Sequence, residues 1–183
     1  MIPRMPMISG SMSVMPYAPA PGRECGSCAM CCKVYTLPEL GKPAGVWCRH
    51  CQPGKGCKIH DALPDPCREF FCLWMTDANM PAEWRPDRAR FVLSVYPRNG
   101  FIYGQVDPGS PGAWRKPPYY DRLRAMAKAL LEERRHVIMF VGDYATLVMP
   151  DEAVPLGRMT AEDSFRIEQV FGPKGPTWRA AKV

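Results

Sequence analysis

Cys25-Gly26-Ser27-Cys28-Ala29-Met30-Cys31-Cys32 is the stretch on which the reading of this chain turns. Four thiols within eight residues, two of them adjacent, demand an explanation that ordinary core packing does not supply. Working outward, the next are Cys48-x2-Cys51-x5-Cys57 and Cys67-x4-Cys72. All nine cysteines of the 183 residues therefore fall in the window Cys25 to Cys72. Disulfides suit an oxidising compartment, and the odd count leaves one thiol over. Scattered core cysteines would not crowd together at two-residue spacings. Metal ligation accounts for both the crowding and the spacing, because a C-x2-C knuckle lets two thiolates reach one ion from a single tight turn. Candidate ligands are Cys25, Cys28, Cys31, Cys32, Cys48, Cys57, Cys67 and Cys72, with Cys51 a lesser candidate.

The spacings also bear on how many ions there are. Asp65-Pro66-Cys67 reads as a helix start, with Asp65 as N-cap, Pro66 at the first helical position and Cys67 in the first turn, where the dipole favours a thiolate. On a continuous helix Cys72 would point about 140° away from Cys67, so the two serve one ion only if the helix stops between them. Adjacent Cys31 and Cys32 likewise suit two neighbouring centres, or a bridged one. Two metal centres are expected, with eight ligands in two sets of four and Cys51 spare, although Cys48-Arg49-His50-Cys51 is itself a knuckle. His50 and His60 lie within the window as second-shell donors or bystanders; His136 is expected at the surface after a helix end.

These residues resemble the CxxCxxCC cysteine-cluster family, also called YkgJ-type and described as zinc- or iron-chelating. Its pattern runs C-x2-C-G-x-C-C, a separated cysteine, C-x-I-Y and R-P-x2-C-R-x-F. Here the pieces are Cys25 to Cys32, Cys48, Cys57-Lys58-Ile59-His60 and Leu63-Pro64-Asp65-Pro66-Cys67-Arg68-Glu69-Phe70. Ala29 replaces the family glycine, His60 the tyrosine and Leu63 the arginine, and every cysteine is kept. The resemblance covers about 50 residues. It implies a metal-bearing module and no particular reaction, although some larger relatives such as flagellin lysine methylases link the cluster to methyl transfer.

Zinc and iron both suit thiolate-rich sites. The repeated C-x2-C pairs favour zinc. Cys25-x2-Cys28-x2-Cys31 matches the opening of a ferredoxin-type run, but Cys32 follows at once and the Cys-Pro signature is missing, so an iron–sulfur cluster is the second choice. Three functions follow: a protein whose ions are structural or carried; an iron–sulfur protein in redox chemistry or assisting a modification; and a nucleic-acid-associated zinc protein.

The formal charge is +6, and a four-thiolate zinc site counts as −2. The basic excess lies in residues 81–135, with no base-reading module to support a nucleic-acid partner. Its arginines, Arg122 and Arg124 among them, read as a solvated face, and Tyr96, Phe101 and Tyr103 as sheet packing before base stacking. There is no nucleotide-binding fingerprint. Gly109-Ser110-Pro111-Gly112 is a loop without the spacing of a serine elbow, and a cysteine nucleophile with His60 and Asp61 would need a sulfur not held by metal. The longest apolar run, Val137 to Val141, is far too short to cross a bilayer. With no secretory signal visible, a cytoplasmic protein is expected.

The fold class expected is α+β: a small Cys-rich, metal-stabilised module over 23–80, then a ββαββ-like unit over 81–171, which would serve as a docking surface for a protein partner. Arg90 to Tyr96 and Phe101 to Val106 read as strands joined across Asn99-Gly100. A helix from Pro118 to Arg135 places Leu123, Met126, Ala127, Leu130 and Leu131 on one face. Val137 to Val141 and Ala145 to Met149 form a second hairpin about Gly142-Asp143. A short helix from Thr160 to Phe171 is expected from Thr160 with Asp163 as a capping box and Gly172-Pro173 as its end. The Met- and Pro-rich residues 1–22 and the tail 172–183 read as disordered.

Overall fold

The computed structural model describes residues 18–159, 163–173 and 175–183. Its centre is a five-stranded sheet in the order β3-β4-β5-β6-β7, made of Phe91–Val95, Ile102–Val106, Val137–Val141, Tyr144–Val148 and Ala153–Arg158. All neighbours are antiparallel except β4 and β5, which run parallel with Ile102 opposite Val137. A parallel pair needs a crossover connection. Helix α5, Tyr119–Leu131, supplies it. The α+β class and the ββαββ order are therefore present, with β7 added at one edge.

Strand alternation sorts the side chains between two faces. Phe91, Leu93, Ile102, Val106, Val137, Met139 and Val148 form one core with Leu123 and Ala127 of α5 and with Trp84 and Trp114. Their neighbours Ile138, Ala145 and Leu147 form the other with Phe101, Met149 and Leu156. The turns follow the expected chemistry: Gly100 takes φ +68° after Asn99, and Gly142 takes φ +62°. Arg135 closes over the first turn, its Nε donating to the Gly100 carbonyl at 2.9 Å.

The carboxy-terminal segment departs from the sequence reading. Residues 160–162 lie outside the described residues, but Phe165–Gly172 is strand β8, not helix, and Gly175–Lys182 is strand β9, not a disordered tail. They pair antiparallel about a turn at which Gly175 has φ +102°. Phe165, Ile167, Trp178 and Ala180 cover the second face of the sheet. Burial of those four against a waiting apolar face outweighs the capping signal read at Thr160 and Asp163. Residues 1–17 also lie outside the described residues.

The cysteine-rich segment lies against the β3 edge. It contains short helices α1 (Cys31–Val34), α2 (Asp65–Arg68) and α3 (Leu73–Thr76) and a two-stranded ribbon of β1 (Cys51–Gln52) and β2 (Gly56–Cys57), and α4 (Pro86–Ala89) follows it. Met30 and Val34 meet Met75 and Cys72 over Val92. Leu73, one residue after Cys72, belongs instead to the core under α5, so α3 wraps the strand edge. Among the described residues, no helix is long and apolar enough to cross a membrane.

Candidate metal centre

Both knuckles are built the same way. The Cys28 N–H donates to the Cys25 carbonyl at 2.8 Å, and the Cys51 N–H to the Cys48 carbonyl at 2.9 Å. Each closes a tight turn that sets two thiols side by side. The Cys48 N–H donates to the Cys32 carbonyl at 3.0 Å, tying the second knuckle to the start of α1. Gly56 brings the ribbon against the first knuckle: a Cβ there would lie 2.8 Å from the Gly26 carbonyl oxygen, so only glycine permits the approach.

α2 begins one residue earlier than expected, with Pro64 as N-cap and Asp65 already helical, and it ends at Arg68. The chain then restarts with Cys72 as the N-cap of α3. Cys67 and Cys72 therefore lie on separate helices. Burial, reinforced by Cys32, Cys48 and Cys57, pushes the Cys67 thiol up, against the dipole effect expected from its helix start. Burial also raises Cys72, to about 11, with the N–H groups of Met75 and Trp74 pulling the other way and Cys25 and Cys28 adding to the rise.

These mutual influences sort the sulfurs. Cys25 and Cys28 act on both Cys31 and Cys72, and Cys32, Cys48 and Cys57 on both Cys51 and Cys67, while Cys32 also acts on Cys25. Cys31 and Cys32 stand at the seam, joined by a hydrogen bond that holds the Cys31 thiol well above its ordinary range and lowers Cys32 to about 7. Cys51 also hydrogen-bonds Cys32. Burial first, then the charge of Cys32, raises Cys51 to about 12. All nine cysteines are free thiols. Among the described residues no three His, Cys, Asp or Glu side chains are drawn closely enough together to hold an ion.

The donors around the two groups fit anionic sulfur. The Cys28 sulfur is faced by the N–H groups of Met30 and Asp87 and by the Arg85 side chain. Arg85 also donates to Ser27 Oγ at 2.6 Å, and Trp74, which packs in the same cluster as Cys28 and Cys72, has a buried indole N–H without an acceptor. On the second side stands Lys42, only 7% exposed, whose Nζ donates to the Lys33 and Pro43 carbonyls at 3.1 Å each and to that of Tyr35. Burial lowers its pKa, while Cys32, Cys48, Cys31 and Cys67 support its charge. N–H donors at Cys28 and Cys72 and two nearby cations are the kind of surroundings that thiolates use.

The histidines stay outside. His60 is exposed, and His50 Nε2 accepts from Arg49 Nε at 3.1 Å. His136 is not the surface residue expected. Its ring sits between Phe101 at 4.8 Å and Phe165 at 5.6 Å, and burial lowers its pKa to about 4. Arg124 is also engaged, its Nε donating to the Pro150 carbonyl at 2.7 Å. Tyr96, Phe101 and Tyr103 pack on one another as sheet-face aromatics.

Asp107 was missed by sequence reasoning. Its carboxylate is wholly shut from solvent at the end of β4, 2.6 Å from Lys33 Nζ, and paired also with Arg90. The Gly109 N–H adds a third donor at 2.9 Å. Lys33 directly follows Cys32, so this carboxylate fixes the paired cysteines to the sheet. An isolated Asp between Val106 and Pro108 carries no local signal of that role. No protein-family model, curated protein or solved structure matches this chain.

Proposed function

We propose that this chain is a metal-binding cysteine-cluster protein holding two thiolate centres, whose ions are structural or carried. Cys25, Cys28, Cys31 and Cys72 would serve the first. Cys32, Cys48, Cys57 and Cys67 would serve the second, with Cys51 beside them. The break after Arg68 removes the helical bar to one shared ion, so the observation that carries this reading is the different sulfurs around each: Cys25 and Cys28 beside Cys72, and Cys32, Cys48 and Cys57 beside Cys67.

The tight turn at Cys25-x2-Cys28 supports zinc over an iron–sulfur cluster, since zinc knuckles take this form. Zinc bound to four thiolates supplies rigidity and Lewis acidity, without redox chemistry of its own. The protein's part is to ease the deprotonation that burial resists. Arg85 and the Met30 and Asp87 N–H groups do so at Cys28, the α3 N–H groups at Cys72, and Lys42 at Cys32. The motif resemblance to the CxxCxxCC proteins agrees.

Elemental analysis and visible spectroscopy of protein purified without oxygen test the proposal. Two zinc equivalents and a colourless solution are expected. A single metal equivalent would defeat the two-centre reading, and brown protein with acid-labile sulfide would replace zinc by an iron–sulfur cluster.

A further inference from the structure

The β1–β2 ribbon places Cys51 directly opposite Cys57. The Lys58 N–H donates to the His50 carbonyl at 2.9 Å, just outside the pair. A bond at that position marks Cys51 and Cys57 as a non-hydrogen-bonded pair, the type with Cα atoms about 4.5 Å apart and side chains close on the same face. A disulfide needs Cα atoms about 4.4–6.8 Å apart. The ribbon therefore already holds the backbone spacing of a cross-strand disulfide, and the Lys55 N–H bonded to the Gln52 carbonyl at 2.8 Å fixes the turn between them. Both thiols are partly exposed. The neighbouring contacts, Cys31 with Cys32 and Cys32 with Cys51, have no ladder holding their backbones in register.

We propose that Cys51 and Cys57 are a peroxide-oxidisable dithiol, a disulfide-forming modification site that opens the second sulfur pocket. The Cys57 thiolate attacks a peroxide oxygen, breaks the O–O bond and becomes a sulfenic acid as hydroxide leaves. The Cys51 thiol, giving up its proton, attacks that sulfur, forms the S–S bond and expels the other hydroxide. The pair gives up two electrons, the peroxide takes them, and two protons complete two waters. The opening rests on the proposed metal reading: the second pocket has five thiols for four places, and oxidation leaves Cys32, Cys48 and Cys67, one short of a tetrahedral set. The first pocket keeps all four of its sulfurs.

The test treats the full-length, metal-loaded protein with one equivalent of hydrogen peroxide, blocks remaining thiols, digests with trypsin and maps the products by mass. Cleavage after Arg49, Lys55 and Lys58 puts Cys51 and Cys57 on separate peptides, 50–55 and 56–58, so their disulfide appears as a linked pair. That linked pair is expected as the main early product, with half of the bound metal released to a chelating dye and recovery after a thiol reductant. Cys51→Ser, which leaves four thiols in the pocket, is expected to retain metal, lose the linked pair and slow the release at least tenfold. A Cys32–Cys51 or Cys31–Cys32 disulfide as the first product, or the linked pair without metal loss from a two-metal protein, would overturn the proposal. The linked pair forming in protein that binds no metal would support the dithiol and sink the metal reading, so the two fail separately.

Discussion

Replacing Asp107 by Asn removes one charge and almost no volume from a carboxylate that solvent does not reach. The wild-type group is bound 2.6 Å from Lys33 Nζ, also by Arg90, and by the Gly109 N–H at 2.9 Å. Removing one partner of a fully buried ion pair costs about 3–5 kcal/mol, because the other charge is left stranded. Here the stranding is incomplete: the Lys33 side chain is 17% exposed and that of Arg90 is 42% exposed, so both cations keep a path to water. The Asn oxygen also still accepts from Gly109. A loss of about 2–3 kcal/mol is the expected net cost, equivalent to a fall in Tm of about 5–10 °C for a chain of this size. The pH dependence has a definite sign. Burial pushes the Asp107 carboxyl up, but Lys33, the Gly109 N–H and Arg90 together hold it below the ordinary aspartate value. Its contribution is thus complete above the unfolded value of about 4 and disappears as pH falls through the lower folded one. Thermal unfolding followed by circular dichroism, wild type against Asp107→Asn, should show the full gap at pH 7 and a shrinking gap below about pH 4. Acid also strips metal from thiolates, so the difference between the two proteins is the quantity to read. A gap below about 1 °C at pH 7, or one undiminished in acid, would refute the reasoning.

Three further outcomes follow from particular side chains. His136 has a folded pKa of about 4 against about 6.5 unfolded, so the unfolded chain binds more protons between those values and stability falls as pH drops from 6.5 toward 4. With its partly exposed ring allowed for, the loss is about 1–2 kcal/mol, and in urea titrations His136→Phe should flatten the slope; an unaltered slope would contradict the assignment. Lys42→Met strips donors from the carbonyls of Lys33, Tyr35 and Pro43 and should cost about 2–4 kcal/mol in the same titrations, whereas a change under about 0.5 kcal/mol would mean that water serves those carbonyls equally well. Leu123→Ala empties a fully buried site beneath α5 and should cost about 2–5 kcal/mol, while Lys128→Ala on the exposed side should stay within about 0.5 kcal/mol; equal effects would misplace the helix face.

What could be read in the sequence was what local chemistry determines. Asn99-Gly100 between alternating strands, the apolar stripe of α5 and the C-x2-C turns each depend on residues a few positions apart. β8 shows where such reading stops. Phe165-Arg166-Ile167-Glu168 alternates with period two, but Gln169-Val170-Phe171 breaks the pattern, and Gly172-Pro173 serves a hairpin turn as readily as a helix end. The decision came from Phe101 and His136, more than 25 positions back, which offer rings for Phe165 to pack on. The sulfurs behave alike. Spacing on one helix would set Cys67 apart from Cys72, but the chain breaks after Arg68, and the partners of each depend on Gly56 meeting Gly26 and on the Cys48 N–H reaching Cys32. Lys42, Arg85 and Asp107 lie in no motif because their partners are set by the tertiary fold.

The same packing limits how much of the structure the metal has to hold. A cysteine-rich segment with few large apolar side chains would not offset its chain entropy alone, which is why residues 23–80 read as metal-dependent. The structure gives that segment help from outside. Met30, Val34 and Met75 bury against Val92 of β3, while Leu73 and Met80 enter the core with Trp84, Phe91 and Leu123. The Ala20 N–H donates to the Met75 carbonyl at 2.8 Å, so even the approach to the first knuckle is tied to α3. Residues near Cys72 thus have an apolar anchor, whereas the ribbon at Cys51 and Cys57 and helix α2 at Cys67 expose most of their neighbours. Metal removal should therefore loosen the chain unevenly: protease cleavage should appear first between about residues 49 and 69 and last between Leu73 and Trp84. Uniform cleavage across the segment would mean that metal, and not the β3 edge, holds all of it in place.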